Sequence, residues 1–425
     1  MIFVFYILAA ILVWLSYKSL RGGFDYLNYF KRELKRPPSD YAPFATIIAP
    51  CKGLDEGLED NLAALFDQYH HAFEIIFVVD DRDDPAIRTI GKLIAARTIK
   101  RPKGQGVSET QASYIRDESS FRARIVFAPK ATDSSQKVEN LRAAVLEADE
   151  RSQVFVFVDS DARPSKVWLR KLIAPLADVS IGASTGYRWF ISSTPTFASE
   201  LRNIWNASIA SALGPNTKGN FCWGGSMAIR RDTFEKLGIR EKWSGTLSDD
   251  FTVTHAMNAA DMSIAFVPQA LTPSVEDSTF REMLEFTTRQ MKITRVYSSR
   301  LWLLSFIGSG LFCSVMVASL AIMTFSNRNS IAVWVAIATL LIVSVCSIGK
   351  SWLRLKAARL VLTQYEKELR KQTLPQCTLW LLSPIVFFYN CITALFSRRM
   401  KWRGIEYRMI SPDETRVIGS KVERR

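Results

Sequence analysis

Two kinds of hydrophobic pattern divide this chain. Between residues 41 and 276, short apolar runs alternate with amphipathic stretches, while residues 1–17, 301–325, 331–348 and 378–396 are apolar almost throughout. In the first territory the runs ATIIAP (45–50), EIIFVV (74–79), RIVFAP (124–129), VFVFV (154–158) and SIAFVP (263–268) predict strands. Their near-continuous hydrophobicity is that of parallel strands covered on both faces. Leu58, Leu62 and Leu65, followed by segments near 84–96, 138–149 and 166–177, have helical spacing between them. The alternation predicts an α/β domain with a doubly wound, mostly parallel sheet. Residues 99–122 are polar and basic without a clear period, and read as a surface insertion between strands.

In the second territory, residues 1–17 carry no charge and meet the lower limit of about 17 residues for crossing a hydrocarbon core. The segment starts Met-Ile-Phe and is followed by bulky and basic residues, which predicts an uncleaved anchor rather than a signal peptide. A basic linker follows at 18–40, with Lys18, Arg21, Lys31, Arg32, Lys35 and Arg36. Positive charge beside a span marks the cytoplasmic side, so the domain expected at 41–300 is placed in the cytoplasm, as in a bacterial inner membrane or its equivalent. Interfacial helices are expected within it near 190–215 and 276–300. Residues 301–348 then predict a transmembrane hairpin, 349–377 an amphipathic segment on the cytoplasmic surface, and 378–396 a third apolar segment broken by Ser383-Pro384. A full crossing by that third segment would carry the basic tail at 397–425 outside, against the charge rule. Either the segment is re-entrant or in-plane, or the tail is translocated; the charge pattern favours the former.

The composition narrows the partners. The chain has 425 residues and a formal charge of +14, but much of the excess flanks apolar spans, where it faces anionic headgroups rather than nucleic acid. Six scattered cysteines show no CxxC spacing, and with three histidines a Cys- or His-rich metal site is not indicated. A bound metal would be held by oxygen.

Chemistry is expected where strands end, because open α/β sheets bind ligands beyond the carboxyl ends of their strands. The second strand runs into Asp80-Asp81-Arg82-Asp83-Asp84-Pro85, four carboxylates that call for a cation or hydrogen-bonding ligand unless they form a turn. The fourth ends in Asp159-Ser160-Asp161, a spacing that offers two hard oxygen ligands to a divalent ion bridging a diphosphate, with Asp161 the expected direct ligand. Gly224-Gly225-Ser226-Met227 predicts a turn poor in side chains near a substrate. Asp249 and Asp250 open a predicted helix, either as its cap or as a carboxylate base that takes a proton from a reacting hydroxyl; Asp250 is the candidate base. Arg289 and Lys292, three apart on a predicted helix, either hold a leaving diphosphate or form a basic collar facing headgroups.

Taken in order, these residues resemble the inverting family-two glycosyltransferases, most closely the ceramide glucosyltransferase branch and its relatives that glycosylate membrane lipids. The residues that carry the resemblance are Pro50-Cys51-Lys52-Gly53-Leu54-Asp55, Asp81-Arg82-Asp83-Asp84-Pro85, Lys137-Val138-Glu139-Asn140-Leu141, Asp159-Ser160-Asp161, Gly225-Ser226-Met227, Asp249-Asp250, and Trp402-Arg403-Gly404 with Tyr407-Arg408. The resemblance implies a GT-A fold, Mg²⁺ or Mn²⁺, a UDP-sugar such as UDP-glucose, and inverting transfer of one sugar to a ceramide-like or other lipid hydroxyl. It implies that Asp81 recognises the uracil and ribose, that Asp159 engages donor and Asp161 metal, and that Asp250 is the base. Pro50, Lys52, Asp83, Lys137, Arg289 and Lys292 are expected at the donor, and Gly225, Ser226, Asp249 and Trp402 at the acceptor. The chain departs from the family's QxxRW or RxxRW signature, reading Arg289-Gln290-Met291-Lys292-Ile293, and lysine lacks arginine's bidentate fork. It also lacks a histidine at 203–218, where the ceramide branch has one. Two alternatives remain: a processive polysaccharide synthase, and a non-catalytic lipid-binding scaffold on a degenerate fold. A transporter is disfavoured because the apolar stretches carry no charge.

Overall fold

The computed structural model describes residues 2–99 and 122–420, so nearly all of the insertion expected at 99–122 lies outside the described residues. The chain forms two compact units, one made of Glu33–Trp189, Leu213–Glu276 and Arg399–Arg425, the other of Met1–Arg32, Phe190–Ala212 and Asp277–Arg398.

The first unit is built on a seven-stranded sheet of β1 (Ala45–Pro50), β2 (Phe73–Val79), β3 (Arg122–Phe127), β4 (Val154–Val158), β5 (Ile181–Ile191), β6 (Ser226–Arg230) and β7 (Ser263–Val275), in the order β3-β2-β1-β4-β6-β5-β7. β1 pairs in parallel with β2 and β4, and β2 with β3. Alternate residues supply both faces. Ile47, Ala49, Ile75, Phe77, Val154 and Val156 pack in one buried cluster, and Ile48, Ile76, Val78, Phe155 and Phe157 in another. Burial on both sides favours apolar residues at nearly every position, which is why these runs read as near-continuous; Thr46 and Glu74 are exceptions, buried as a hydrogen-bonded pair at 2.8 Å. The helices Leu58–Phe66 and Trp168–Ile173 cover the first face, and Gln136–Ala144 and Asp249–Ala259 the second.

The expected mostly parallel sheet holds for β3-β2-β1-β4, but β6 runs antiparallel to both β4 and β5, so the sheet is mixed. β5 and β6 escape the apolar pattern because Ser184, Thr185 and Ser226 lie on them, fully buried. The tail at 397–425 holds a second sheet, β8 (Arg399–Trp402), β9 (Ile405–Ser411) and β10 (Glu414–Ser420), antiparallel in the order β10-β9-β8. Its β8–β9 turn places Arg403 and Gly404 at φ 49° and 77°, the left-handed pair of a two-residue hairpin.

Among the described residues, the second unit contains three helices long and apolar enough to cross a membrane: Ile2–Leu34, Ser299–Phe325 and Ile331–Val361. Phe5, Leu12, Phe312, Val315, Ala336 and Val343 pack together among them. Other large apolar side chains, including Val317, Phe325, Trp334 and Val345, are exposed, as lipid-facing positions would be. The first helix continues well past residue 17, and the third runs unbroken past 348, so the amphipathic segment expected at 349–377 begins inside a helix. The helices Phe197–Ala210 and Phe280–Tyr297 fall where interfacial helices were expected, and both pack with Ser383–Phe396. At Pro384 the apolar stretch is broken, with Thr373–Leu381 and Ser383–Phe396 meeting at 54°.

Candidate functional site at the carboxyl ends of the sheet

The carboxyl ends of β1, β2 and β4, the glycine turn before β6 and two helix N-termini meet in the sheet unit. Asp159 and Asp161 follow β4, and Arg188 on β5 lies against both, with Nη2 3.2 Å from Asp159 Oδ2 and Nη1 3.2 Å from Asp161 Oδ2. Lys137, near the start of the Gln136–Ala144 helix, places Nζ 2.7 Å from Asp159 Oδ1 and 3.2 Å from Asp249 Oδ1. Ser135 caps that helix by accepting from the Val138 amide, and Tyr407 Oη accepts from the Gln136 amide at 3.2 Å, so β9 helps to aim Lys137.

These charges set one another's protonation. Burial disfavours the ammonium of Lys137, but the surrounding Asp159, Asp249 and Asp250 outweigh it and hold the group above its ordinary range. Burial likewise opposes ionisation of Asp159, yet Lys137 and Arg188 keep that carboxyl below the usual value. For Asp161 and Asp249 burial prevails, although Arg188 and Lys137 respectively pull the other way, and both carboxyls are raised. Asp161 Oδ1 and Asp249 Oδ2 are buried with no hydrogen-bond partner among the described residues. Such atoms carry a desolvation cost that a cation or a donor hydrogen would remove.

Asp250 is only partly buried; Oδ2 accepts from the Gly224 amide at 3.3 Å and Oδ1 from the Phe251 amide at 2.8 Å. Its neighbour Gly224 has no room for a side chain, since a Cβ there would lie 2.1 Å from Asp249 Oδ2. At Gly225 a Cβ would meet the Trp223 ring at 2.1 Å and Asp159 Oδ2 at 2.7 Å. The glycines therefore let backbone approach the carboxylate cluster closely. Ser226, expected at the acceptor, instead faces the core: Oγ accepts from Trp168 Nε1 at 2.8 Å and donates to the Ala270 carbonyl at 3.2 Å. Asp249, also expected there, is buried beside Lys137.

At the end of β2 the crowded carboxylates sort into separate roles. Asp80 is held by Lys52 at 2.8 Å and Lys130 at 3.1 Å, and Lys130 also reaches Asp81 at 2.9 Å. That hydrogen bond from Lys130, with the Asp83 amide, holds the exposed Asp81 below the usual carboxylate range. Asp84 accepts from the Gly53 and Ala86 amides, tying the loop after β1 to the helix Ala86–Ile99. Asp83 is exposed, and Pro50 closes β1 just before Lys52.

Arg188 escaped the sequence pattern, and Asp55 and Arg403, although both lie in the motifs that carry the resemblance, gave no sign there that they pair. Arg188 stands in Gly186-Tyr187-Arg188-Trp189, a lone charge in an apolar strand, and that isolation was its available signal; its guanidinium also lies 4.8 Å from the Trp223 ring centre. Arg403 and Asp55 are far apart in sequence but form an ion pair at 2.5 Å, and Ser160 Oγ donates to the other Asp55 oxygen at 2.6 Å. Trp402, half-buried, precedes Arg403 at the end of β8. Arg289 and Lys292 belong to the helical unit, on the Phe280–Tyr297 helix; the Arg289 guanidinium lies 5.5 Å from the Phe286 ring centre, and partial burial lowers the pKa of Lys292.

The family model for glycosyl transferase family 21 matches residues 4–98 and 112–414, nearly the whole chain. The chain belongs to that family. It is 21% identical over 267 residues to ceramide glucosyltransferase 1 of Caenorhabditis elegans, a match covering 62% of this chain and 52% of that protein. A ceramide glucosyltransferase of Komagataella phaffii is 34% identical over 73 residues, 17% of this chain and 14% of that protein. The chain thus spans about half the length, or less, of the curated relatives it matches. Among solved structures it is similar to mannosyltransferase PcManGT from Pyrobaculum calidifontis in complex with GDP-Man and Mn²⁺, at 18% identity and a TM-score of 0.43, with 90% of this chain and 99% of that one covered. Membership of family 21 agrees with the ceramide glucosyltransferase resemblance carried by the ordered motifs.

Proposed function

We propose that this family-21 chain is an inverting glycosyltransferase on a GT-A-type fold, moving one sugar from a UDP-sugar such as UDP-glucose to the hydroxyl of a ceramide-like or other membrane lipid. The observation that carries the reading is the convergence of Asp159, Asp161, Lys137, Asp249 and Asp250 at one strand-end site. A transferase must hold a diphosphate, stabilise it as it leaves, and take a proton from the attacking hydroxyl.

Lys137 and Arg188 are the cations at the diphosphate end, and Asp81 is assigned to the uridine. Among the described residues no group of three or more His, Cys, Asp or Glu side chains is arranged to hold a metal. The unpartnered Asp161 Oδ1, beside Asp159, nevertheless fits a hard divalent ion that draws its remaining ligands from a diphosphate. Mg²⁺ or Mn²⁺ bound there would neutralise charge on the departing diphosphate. Asp161 and Asp159 would hold it. Asp250, partly open and fixed by two backbone amides, is oriented to accept the hydroxyl proton while the new bond forms on the opposite face from the leaving group. Arg289 and Lys292 are assigned to the same leaving group; a half-buried lysine regains favourable charge beside an anion. Gly225 and Trp402 are assigned to the acceptor side.

We also infer that residues 378–396 are re-entrant. Strands preceding residue 276 and following residue 398 belong to one compact unit, so an even number of crossings must separate them. The two helices of the hairpin already supply an even number. The basic residues after the first helix support a cytoplasmic position for the sheet unit.

The test is sugar transfer by the detergent-purified full chain, offered a panel of UDP-sugars and a membrane lipid extract with Mn²⁺, Mg²⁺ or chelator. The reading expects a monoglycosylated lipid, dependent on the metal and lowered about 10²–10⁴-fold in Asp250→Asn. A polymeric product would favour a synthase. A folded chain silent with every donor would sink the enzyme reading.

A further inference from the structure

The helical unit holds an open cavity of about 370 Å³ between the first helix, the hairpin and the broken segment at Pro384. Most of its wall is apolar or hydroxyl-bearing, with Leu12, Leu304, Phe312 and Phe387 among the apolar side chains. It also holds two cations and no carboxylate: Lys350 and Arg354, one turn apart on the Ile331–Val361 helix. Lys350 Nζ donates to Ser19 Oγ at 2.7 Å. Arg354, 3% exposed, donates through Nη2 to Gln376 Oε1 at 3.1 Å, and its Nε is buried with no partner among the described residues.

Two like charges four residues apart repel, and partly desolvated cations without a counter-ion are costly, since neutral oxygens replace only part of what water supplied. A protein that retains them in a membrane-spanning helix normally uses them. Their depth is informative. Residues 331–349 carry no charge and rise about 28 Å as a helix, so Lys350 stands near the edge of a hydrocarbon core of about 30 Å. Ser19 stands at the matching end of the first helix, just beyond its uncharged 1–17 stretch. A lipid phosphate occupies that level, with its acyl chains running back along apolar walls.

We propose that this cavity binds an anionic phospholipid, with its phosphate held by Lys350 and Arg354 and an acyl chain against Leu12, Leu304 and Phe312. The lining shares no residue with the strand-end cluster, and the proposal does not rest on the transferase reading; it makes the chain a receptor for the charge of its membrane. Charge complementarity selects the occupant: a zwitterionic lipid brings its own cation into a cavity that already has two, and a free phosphate leaves the apolar walls unfilled.

The test is native mass spectrometry of the delipidated full chain in detergent, titrated separately with dioleoylphosphatidylglycerol, dioleoylphosphatidylcholine and inorganic phosphate. The proposal expects phosphatidylglycerol to bind at least about tenfold more tightly than phosphatidylcholine, the factor lost with one charge-assisted hydrogen bond. Lys350→Gln and Arg354→Gln should each remove most of that preference. Gly308→Leu, on the cavity wall where an added Cβ meets nothing within 4 Å, should weaken phosphatidylglycerol without touching either cation. Equal affinity for the two lipids, or a preference unchanged in Lys350→Gln and Gly308→Leu, overturns the proposal even if Arg354→Gln does not fold. Saturation by inorganic phosphate that excludes lipid would reassign the site to a soluble anion and overturn the lipid occupant.

Discussion

Replacing Arg188 by methionine removes the guanidinium between Asp159 and Asp161 while keeping most of the side-chain volume. Each contact is 3.2 Å, and all three side chains are less than one-fifth exposed. At an effective dielectric of about 20, a unit pair at that distance attracts by about 5 kcal/mol. The net loss is smaller, because the arginine no longer has to be desolvated and Asp161, already raised by burial, takes up a proton instead of remaining an uncompensated charge. About 3 kcal/mol is therefore expected, near the lower end for breaking a buried pair. For a unit of this size that corresponds to a fall in Tm of about 6–12 °C. Arg188 also neutralises the two carboxylates that would hold a cation, so Mn²⁺ should raise the Tm of Arg188→Met more than that of the parent. The measurement is thermal unfolding in detergent by tryptophan fluorescence, with and without Mn²⁺. A variant that melts within 2 °C of the parent and responds equally to Mn²⁺ would refute the reasoning, because Arg188 would then not be neutralising the pair.

Three other perturbations probe the same geometry. Gly224→Ala forces a methyl against Asp249 Oδ2, so transfer activity should fall at least tenfold with a stability loss of about 1–3 kcal/mol, read by activity and Tm together. Arg403→Asn keeps a residue suited to the left-handed turn but loses the Asp55 ion pair, whereas Arg403→Ala loses both; donor binding by calorimetry should weaken in each, with the larger Tm loss in the alanine variant. Tyr407→Phe leaves the Gln136 amide unpaired, and an increase in donor KM larger than any fall in kcat is expected if that contact aims Lys137.

Much of the fold was legible because its physics is local. Five of the seven strands in the main sheet were legible as apolar runs, because burial favours apolar residues, although Thr46 and Glu74 on β1 and β2 are buried as a hydrogen-bonded pair. β5 and β6 were not, because buried Thr185 and Ser226 satisfy their hydroxyls against partners that only folding brings near. The uncharged stretches likewise announced three spanning-length helices, since a hydrocarbon core leaves few other options. Where those helices end was not legible, because a helix continues through an interface for as long as hydrogen bonding and packing allow.

The candidate site divides in the same way. The order of motifs from Pro50 to Trp402 places the chain in its family, and Asp159, Asp161 and Asp250 follow from their position after a strand or at a helix start. Sequence alone fixed which chemical groups were available and which strand ends would carry them. Tertiary structure alone decided that Arg188 bridges the aspartates, that Asp249 turns toward Lys137, that Ser226 faces inward, and that Arg403 returns from the tail to Asp55. The reason is distance along the chain: periodicity reports a residue's own environment, whereas an ion pair between residues 55 and 403 exists only after the backbone has closed around it.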